Sequence, residues 1–244
     1  MSKMMPSLTI AALLLASTAA VVAGDAVNPA VTDAVTDSAR PAEDVAHDAE
    51  RKPAELMAFA GVHKGAKIAE LAPGGGYYTR LLSLAVGPEG HIFADSGRPA
   101  PAAEAWATDH PQVSVSIIKA GDDLASEPVD IVWTTQNYHD FKNAKISDTD
   151  AAALYNQAAF RALKPGGVYL INDHAAAPGA PADVTSTLHR IDEATVIKEV
   201  EAAGFQLAGK SDALANPADD HSLKVFDPAI RGKTDQFVLK FVKP

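Results

Sequence analysis

Cysteine is absent from the 244 residues. The chain therefore has no disulfides, no lipid-modified cysteine anchor and no thiolate metal site. Positive charge is scarce too: 21 Lys and Arg stand against 31 Asp and Glu, a formal net charge of −10. Nucleic acid and anionic membrane surfaces are bound through phosphate-neutralising cations, so neither is expected as a partner. Long apolar runs are also rare. The longest, "LTIAALLLASTAAVVA" from Leu8 to Ala23, follows Lys3, ends in small residues and is short for a membrane span. It reads as a secretory signal over residues 1–23, cut after Ala19 or Ala23, with an uncleaved anchor as the other reading. A periplasmic or secreted protein with no stable membrane insertion after cleavage is the expectation.

What remains is 47% apolar over the whole chain, enough for one substantial core. Residues 24–50, rich in Ala, Asp and Pro with a short tandem "AVTDAVTD", read as a flexible leader merging into helix. One domain is expected over residues 51–244. "KPAELMAFAGV" starts a helix at Pro53 and stops it at Gly61. Strands then alternate with helices: "AKIAEL", "HIFAD", "VSVSIIKAG", "VDIVWT" and "VYLIND". Ser147 and Asp150 together resemble a capping box for the helix "AAALYNQAAFRALK". Strands that are apolar almost throughout belong in a parallel sheet covered on both faces, an α/β doubly wound, Rossmann-like fold. "FQLAGK" and "DQFVLKFV", with no helix between them, favour an antiparallel pair at the end.

In such a sheet the ligand sits outside the carboxyl ends of the strands. Those ends carry Glu70 with a triple glycine, Asp95, Asp122-Asp123, the run Gln136 to Asp140, and Asn172-Asp173-His174. Tyr77, Tyr78 and Thr79 follow Gly76, which excludes a P-loop; Lys and Ser or Thr would stand there. Gly74-x-Gly76 is half of a dinucleotide fingerprint, with Thr79 in the third glycine's place. Glu70 at the loop disfavours a pyrophosphate, and with it a nicotinamide oxidoreductase, and suits a ligand with an ammonium. Asp95 is placed for a ribose diol and Asp122 for an adenine amine. Amino acid, ribose and adenine together describe S-adenosylmethionine.

The stretch Glu70-Leu71-Ala72-Pro73-Gly74-Gly75-Gly76 resembles the first motif of class I SAM-dependent methyltransferases, with Ala72 in place of the first glycine. Asp95, Asp122 and "LKPGG" at Leu163–Gly167 follow in family order. "RKPAE", "PGGGYYTRLL", "NYHD", "LHRID", "NPADDH" and "RGKTDQFVLKF" together resemble a family of exported bacterial methyltransferases. The resemblance covers about Arg51 to Pro244. It implies a seven-stranded, mostly parallel sheet with the last strand antiparallel, and S-adenosylmethionine as cofactor. It also implies methyl transfer to a small-molecule substrate that it does not identify. The cofactor-binding residues are then Glu70, Ala72, Gly74, Gly75, Gly76, Asp95, Asp122 and Asn137.

For catalysis the candidates are His139, Asp140, Tyr138 and His174. His139 is the first choice of base, with Asn137 and Tyr138 orienting substrate and Asp173 orienting a histidine. A structural histidine is the competing reading of each. Arg51, Lys52, Arg231 and Lys233 are placed to reach over the site or to meet an anionic substrate. No H-E-x-x-H spacing is present, so no metal is assigned, although His139, Asp140, Asp173, His174, His189, Asp192, Asp219, Asp220 and His221 all fall near one edge. A non-catalytic or metal-assisted protein on the same fold that no longer uses SAM is the alternative.

Overall fold

The structure, a computed structural model, describes residues 28–244. The secretory-signal reading and its cut sites lie outside the described residues. Among the described residues, no helix is long and apolar enough to cross a membrane.

Four helices come first: α1 (Pro29–Thr36), α2 (Ala42–Val45), α3 (Asp48–Arg51) and α4 (Pro53–Ala60). Asn28 caps α1 by accepting the Val31 N–H at 3.1 Å, and its own amide donates to Val62 O at 2.6 Å. Val31 and Ala34 of α1, in the stretch read as a leader, are buried in the core. Alternation follows: β1 (Lys67–Leu71), α5 (Tyr77–Val86), β2 (His91–Ser96), α6 (Pro101–Asp109), β3 (Val113–Ile117), β4 (Val129–Thr135) and α7 (Tyr138–Asn143). A hairpin, β5 (Lys145–Ile146) and β6 (Thr149–Asp150), precedes α8 (Ala151–Ala162) and β7 (Leu163–His174). The chain ends with α9 (Val184–Thr187), α10 (Glu193–Ala202), β8 (Gln206–Ser211) and β9 (Gln236–Val242).

Seven strands form one sheet in the order β3-β2-β1-β4-β7-β9-β8. Pairing is parallel from β3 to β7, and β9 runs antiparallel to both its neighbours. This is the mostly parallel, seven-stranded sheet expected, with its last strand reversed. Side chains alternate across it as a period of two demands. Ile68, Ile131, Trp133, Leu170 and Val238 face a core shared with α1, α4 and α5. Ala69, Leu71, Val132, Tyr169, Ile171 and Leu239 face the other, shared with α8 and α10.

The capping-box reading of Ser147 is corrected. Ser147 and Asp148 have φ of 48° and 67° and form the two-residue turn of the β5–β6 hairpin. Two successive left-handed residues are what a tight hairpin with matching twist requires. The cap of α8 is Asp150, whose carboxylate accepts the Ala153 N–H at 3.0 Å.

Candidate functional site

Strand order reverses between β1 and β4, and there the loops after the two strands diverge and leave a crevice. A cavity of about 260 Å³ opens at that point, lined by Glu70, Ala72 to Gly75, Tyr77, Tyr78 and Thr135 to Asn137. Its remaining wall is Asp44, His47 and Arg51, from the segment before β1.

The loop after β1 is held open by its backbone. Ala72 and Gly74 take left-handed φ of 56° and 55°, Ala72 N–H donates to Asp95 O at 2.7 Å, and Gly76 N–H donates to Pro73 O at 2.8 Å. Among the described residues, the Gly74 and Gly75 N–H groups donate to no backbone carbonyl. A Cβ placed on either glycine would meet nothing within 4 Å. Gly76 differs: it begins α5 at φ 77°, and a Cβ there would lie 2.8 Å from Arg80 Nη1. It shapes the turn and is not part of the cavity wall. Asn137 lines the cavity, but its amide N–H groups go to Ala72 O at 3.2 Å and Thr135 O at 2.6 Å. It braces the loop.

Two carboxyls lie buried beside this loop. Glu70 accepts the Thr79 hydroxyl at 2.6 Å, which explains a threonine where the dinucleotide fingerprint has its third glycine. Burial pushes Glu70 up to about 7, against the opposing pull of Thr79 and Arg80. Asp95, 4% exposed, is pushed up to about 7 by burial and then by the charge of Glu70. Its Oδ2 is buried with no hydrogen-bond partner among the described residues. Buried polar atoms are usually satisfied, so this oxygen can accept a further hydrogen bond, although Asp95 itself lines neither this cavity nor the one beside it. Asp122 is exposed and caps its own turn, accepting Lys119 N–H at 2.8 Å. The turn after β3 therefore does not join Asp122 to the cavity.

A second cavity, of about 400 Å³, adjoins the first and shares His47, Arg51 and Gln136 with it. His174, Phe226, Arg231 and Thr234 complete much of its wall. His174 Nδ1 lies 2.7 Å from Thr234 Oγ1, and burial drives its pKa down to about 4 despite Asp173 beside it. The imidazole is neutral at pH 7. Arg51 does reach over the site, its guanidinium 4.4 Å from the Tyr77 ring centre, whereas Lys52 is exposed.

His139 is 3% exposed and lines neither cavity. Asp173, wholly buried at the end of β7, accepts both its backbone N–H and its Nδ1, each at 2.7 Å. Burial lowers the His139 pKa, but the charge and hydrogen bond of Asp173, with Asp140 behind them, outweigh it and leave the value raised. Asp173 is held low by the same pairing, which overcomes the upward push of burial. Tyr138 is a correction: it is fully buried on the other side of α7, its hydroxyl donating to Glu199 at 3.0 Å and accepting from Asn156 at 2.8 Å. Helical geometry turns adjacent residues about 100° apart, so Tyr138 packs toward Glu199 and Asn156 while His139 turns toward Asp173. Asp140 is half exposed and lies between His139 and His189.

Apart from Arg51, the sequence reading missed the wall supplied by α2 and α3. Arg80 donates to Asp44 at 2.5 and 2.8 Å and to Gly75 O at 2.9 Å, so one guanidinium joins α5, the glycine loop and α2. The Tyr77 hydroxyl donates to Asp48 at 2.6 Å and that of Tyr78 to Arg51 O at 3.2 Å. The signal was present in "PAEDVAHDAER", whose charges are too many for a plain leader, but their partners lie some thirty residues away in sequence.

No family model and no curated protein matches the chain. Solved structures do. A SAM-dependent methyltransferase from Aquifex aeolicus aligns over 81% of this chain and 90% of its own, with 17% identity and a TM-score of 0.55. Fibrillarin from Aeropyrum pernix, solved with natively bound S-adenosyl-L-methionine, aligns over 80% and 76%, with 19% identity and a TM-score of 0.53. The [4+2]-cyclase SpnF aligns over 83% and 81%, with 16% identity and a TM-score of 0.56. At such identities the likeness is one of architecture: the chain has the Rossmann-like class I methyltransferase fold.

Proposed function

We propose that the chain binds S-adenosylmethionine at the carboxyl edge of its sheet and transfers the methyl group to a small-molecule acceptor. The observation that carries this reading is the buried, unpartnered carboxylate oxygen of Asp95 beside a glycine loop with open space over Gly74 and Gly75. A ribose diol satisfies that oxygen, and the bare backbone admits the rest of a nucleoside. Glu70, at the cavity wall, offers negative charge to an ammonium. The fold's solved neighbours include SAM-dependent methyltransferases, which agrees with this choice of nucleoside.

When bound, the cofactor supplies an electrophilic methyl on a sulfonium. The chain's own task is to hold an acceptor in line with it and to take up a proton where the acceptor is oxygen or nitrogen. The second cavity, continuous with the first through Arg51 and Gln136, is the acceptor chamber in this reading. His174, neutral and on its wall, is the base in this reading in place of His139, which lines neither cavity. Export belongs to the same reading and rests on the amino-terminal sequence alone.

Calorimetric titration with S-adenosylhomocysteine, with NADH as control, tests the cofactor. Binding of the homocysteine compound alone, with Kd on the order of micromolar, is expected. Absence of binding removes the cofactor assignment. Because a [4+2]-cyclase shares the fold, binding is followed by a transfer assay with methyl-labelled S-adenosylmethionine.

A further inference from the structure

Outside both cavities, three side chains of types that ligate metals converge. His139, Asp140 and His189 offer ligand atoms that all lie within 4.8 Å of one another. His139 Nε2 is 3.4 Å from Asp140 Oδ1, and His189 Nδ1 is 3.5 Å from the same oxygen. Ligand atoms of a tetrahedral site with bonds of about 2.1 Å lie about 3.4 Å apart, so two edges already have coordination spacing.

Each histidine is prepared in a way that an ordinary ion pair does not need. Asp173 holds His139 Nδ1 at 2.7 Å, so in the neutral ring the proton sits there and Nε2 turns its lone pair to the cluster. A buried carboxylate behind an imidazole is the usual outer partner of a metal-bound histidine, fixing tautomer and raising basicity. His189 Nδ1 is buried and makes no hydrogen bond among the described residues. The backbone of His189 is left-handed, φ 56°, and is held there by the next residue. Arg190, fully buried, donates to Ala175 O and Leu223 O at 2.9 Å each and pairs with Asp219 at 2.9 Å. The other acidic and histidine residues of this edge are already engaged: Asp192 caps α10, and His221 pairs with Asp235 at 2.8 Å.

We propose that His139, Asp140 and His189 form a binding site for one divalent first-row transition-metal ion. Two imidazoles and one carboxylate form a borderline donor set, suited to zinc, iron, cobalt or manganese rather than to magnesium or calcium. Three protein ligands leave coordination positions open, and the ring of Phe226, 4.9 Å from His189, also lines the second cavity. The proposal does not rest on S-adenosylmethionine.

The test uses the full untagged chain, stripped with chelator and titrated with Zn(II) by calorimetry and with Co(II) by visible absorption. One equivalent of Zn(II), with Co(II) bands of nitrogen coordination, is expected. Asp140→Asn and His189→Gln each weaken Zn(II) binding about tenfold or more, and His221→Gln leaves it unchanged. Asp140 is 53% exposed, so its variant keeps the apo unfolding midpoint and separates ligand loss from misfolding. No stoichiometric binding, or binding that survives both Asp140→Asn and His189→Gln, overturns the site. S-adenosylhomocysteine titrated into the same stripped sample tells a failed metal site from a failed cofactor site.

Discussion

Asp95 and the glycines beside it carry the proposed cofactor edge one residue at a time. Because the Asp95 pKa is raised to about 7, the folded chain keeps its proton from the ordinary carboxylate range up to neutrality, while the unfolded chain has lost it. Over that window stability falls as pH rises. Ligand hydroxyls donate to the ionised form, so affinity runs the other way. Glu70 is pushed to about the same value, so S-adenosylhomocysteine is expected to bind at least about tenfold more tightly at pH 8 than at pH 6, and a flat calorimetric profile would remove both carboxyls from the ligand. Asp95→Asn is expected to abolish most of that binding while raising stability at pH 8 by up to about 4 kcal/mol, read from urea melts. The glycines divide in the same spirit. Gly75→Ala has room and is expected to fold normally but bind more weakly; Gly76→Ala, at φ 77° and 2.8 Å from Arg80, loses about 1–3 kcal/mol of stability. The sequence marks Gly74 and Gly76 as the fingerprint pair, and only the fold shows that Gly74 and Gly75 border the cavity while Gly76 turns the chain.

Among the elements, those with a strong period were legible and those defined by distant partners were not. Residues 67–71, 91–96 and 129–135 are strands because their apolar runs fill both faces of a covered sheet, and "VYLIND" lies within the strand Leu163–His174 for the same reason. The β5–β6 hairpin escaped because Ser147 and Asp148 look like a helix start in sequence while their backbone is left-handed. Tyr138 escaped because its hydroxyl is taken up inside the core by Glu199 and Asn156, partners far from it in sequence. The short helices α2 and α3 carry no periodic signal; their place is set by Asp44 on Arg80 and by Asp48 on Arg40 and Tyr77. Removing Asp44 leaves the nearly buried Arg80 charge without its partner. Asp44→Ala is therefore expected to cost about 3 kcal/mol in urea unfolding and to loosen the wall of the first cavity, with weaker S-adenosylhomocysteine binding. An unchanged affinity would mean that α2 supports the fold alone.

For the molecule as a whole, the question is where the cooperative unit begins. Sequence pattern places it at Arg51, before the first strongly periodic helix. Packing argues for Pro29, because Val31 and Ala34 are 0% and 2% exposed in the core formed with α4 and α5. Burying one valine side chain stabilises by about 1.5–3 kcal/mol, and the Asp44 partner of Arg80 adds a comparable amount. A chain starting at Arg51 forfeits both, out of a total stability of about 5–15 kcal/mol for a typical domain. It is expected to melt at much lower urea than a chain starting at Gly24. Its response to ligand should be blunted too, since Asp44 and His47 go with the deletion and the cavity loses a wall. If the shorter chain instead keeps both its urea midpoint and its affinity for S-adenosylhomocysteine, the first three helices lie on a complete domain as a detachable cover. The cofactor edge would then be built by the sheet and its glycine loop alone.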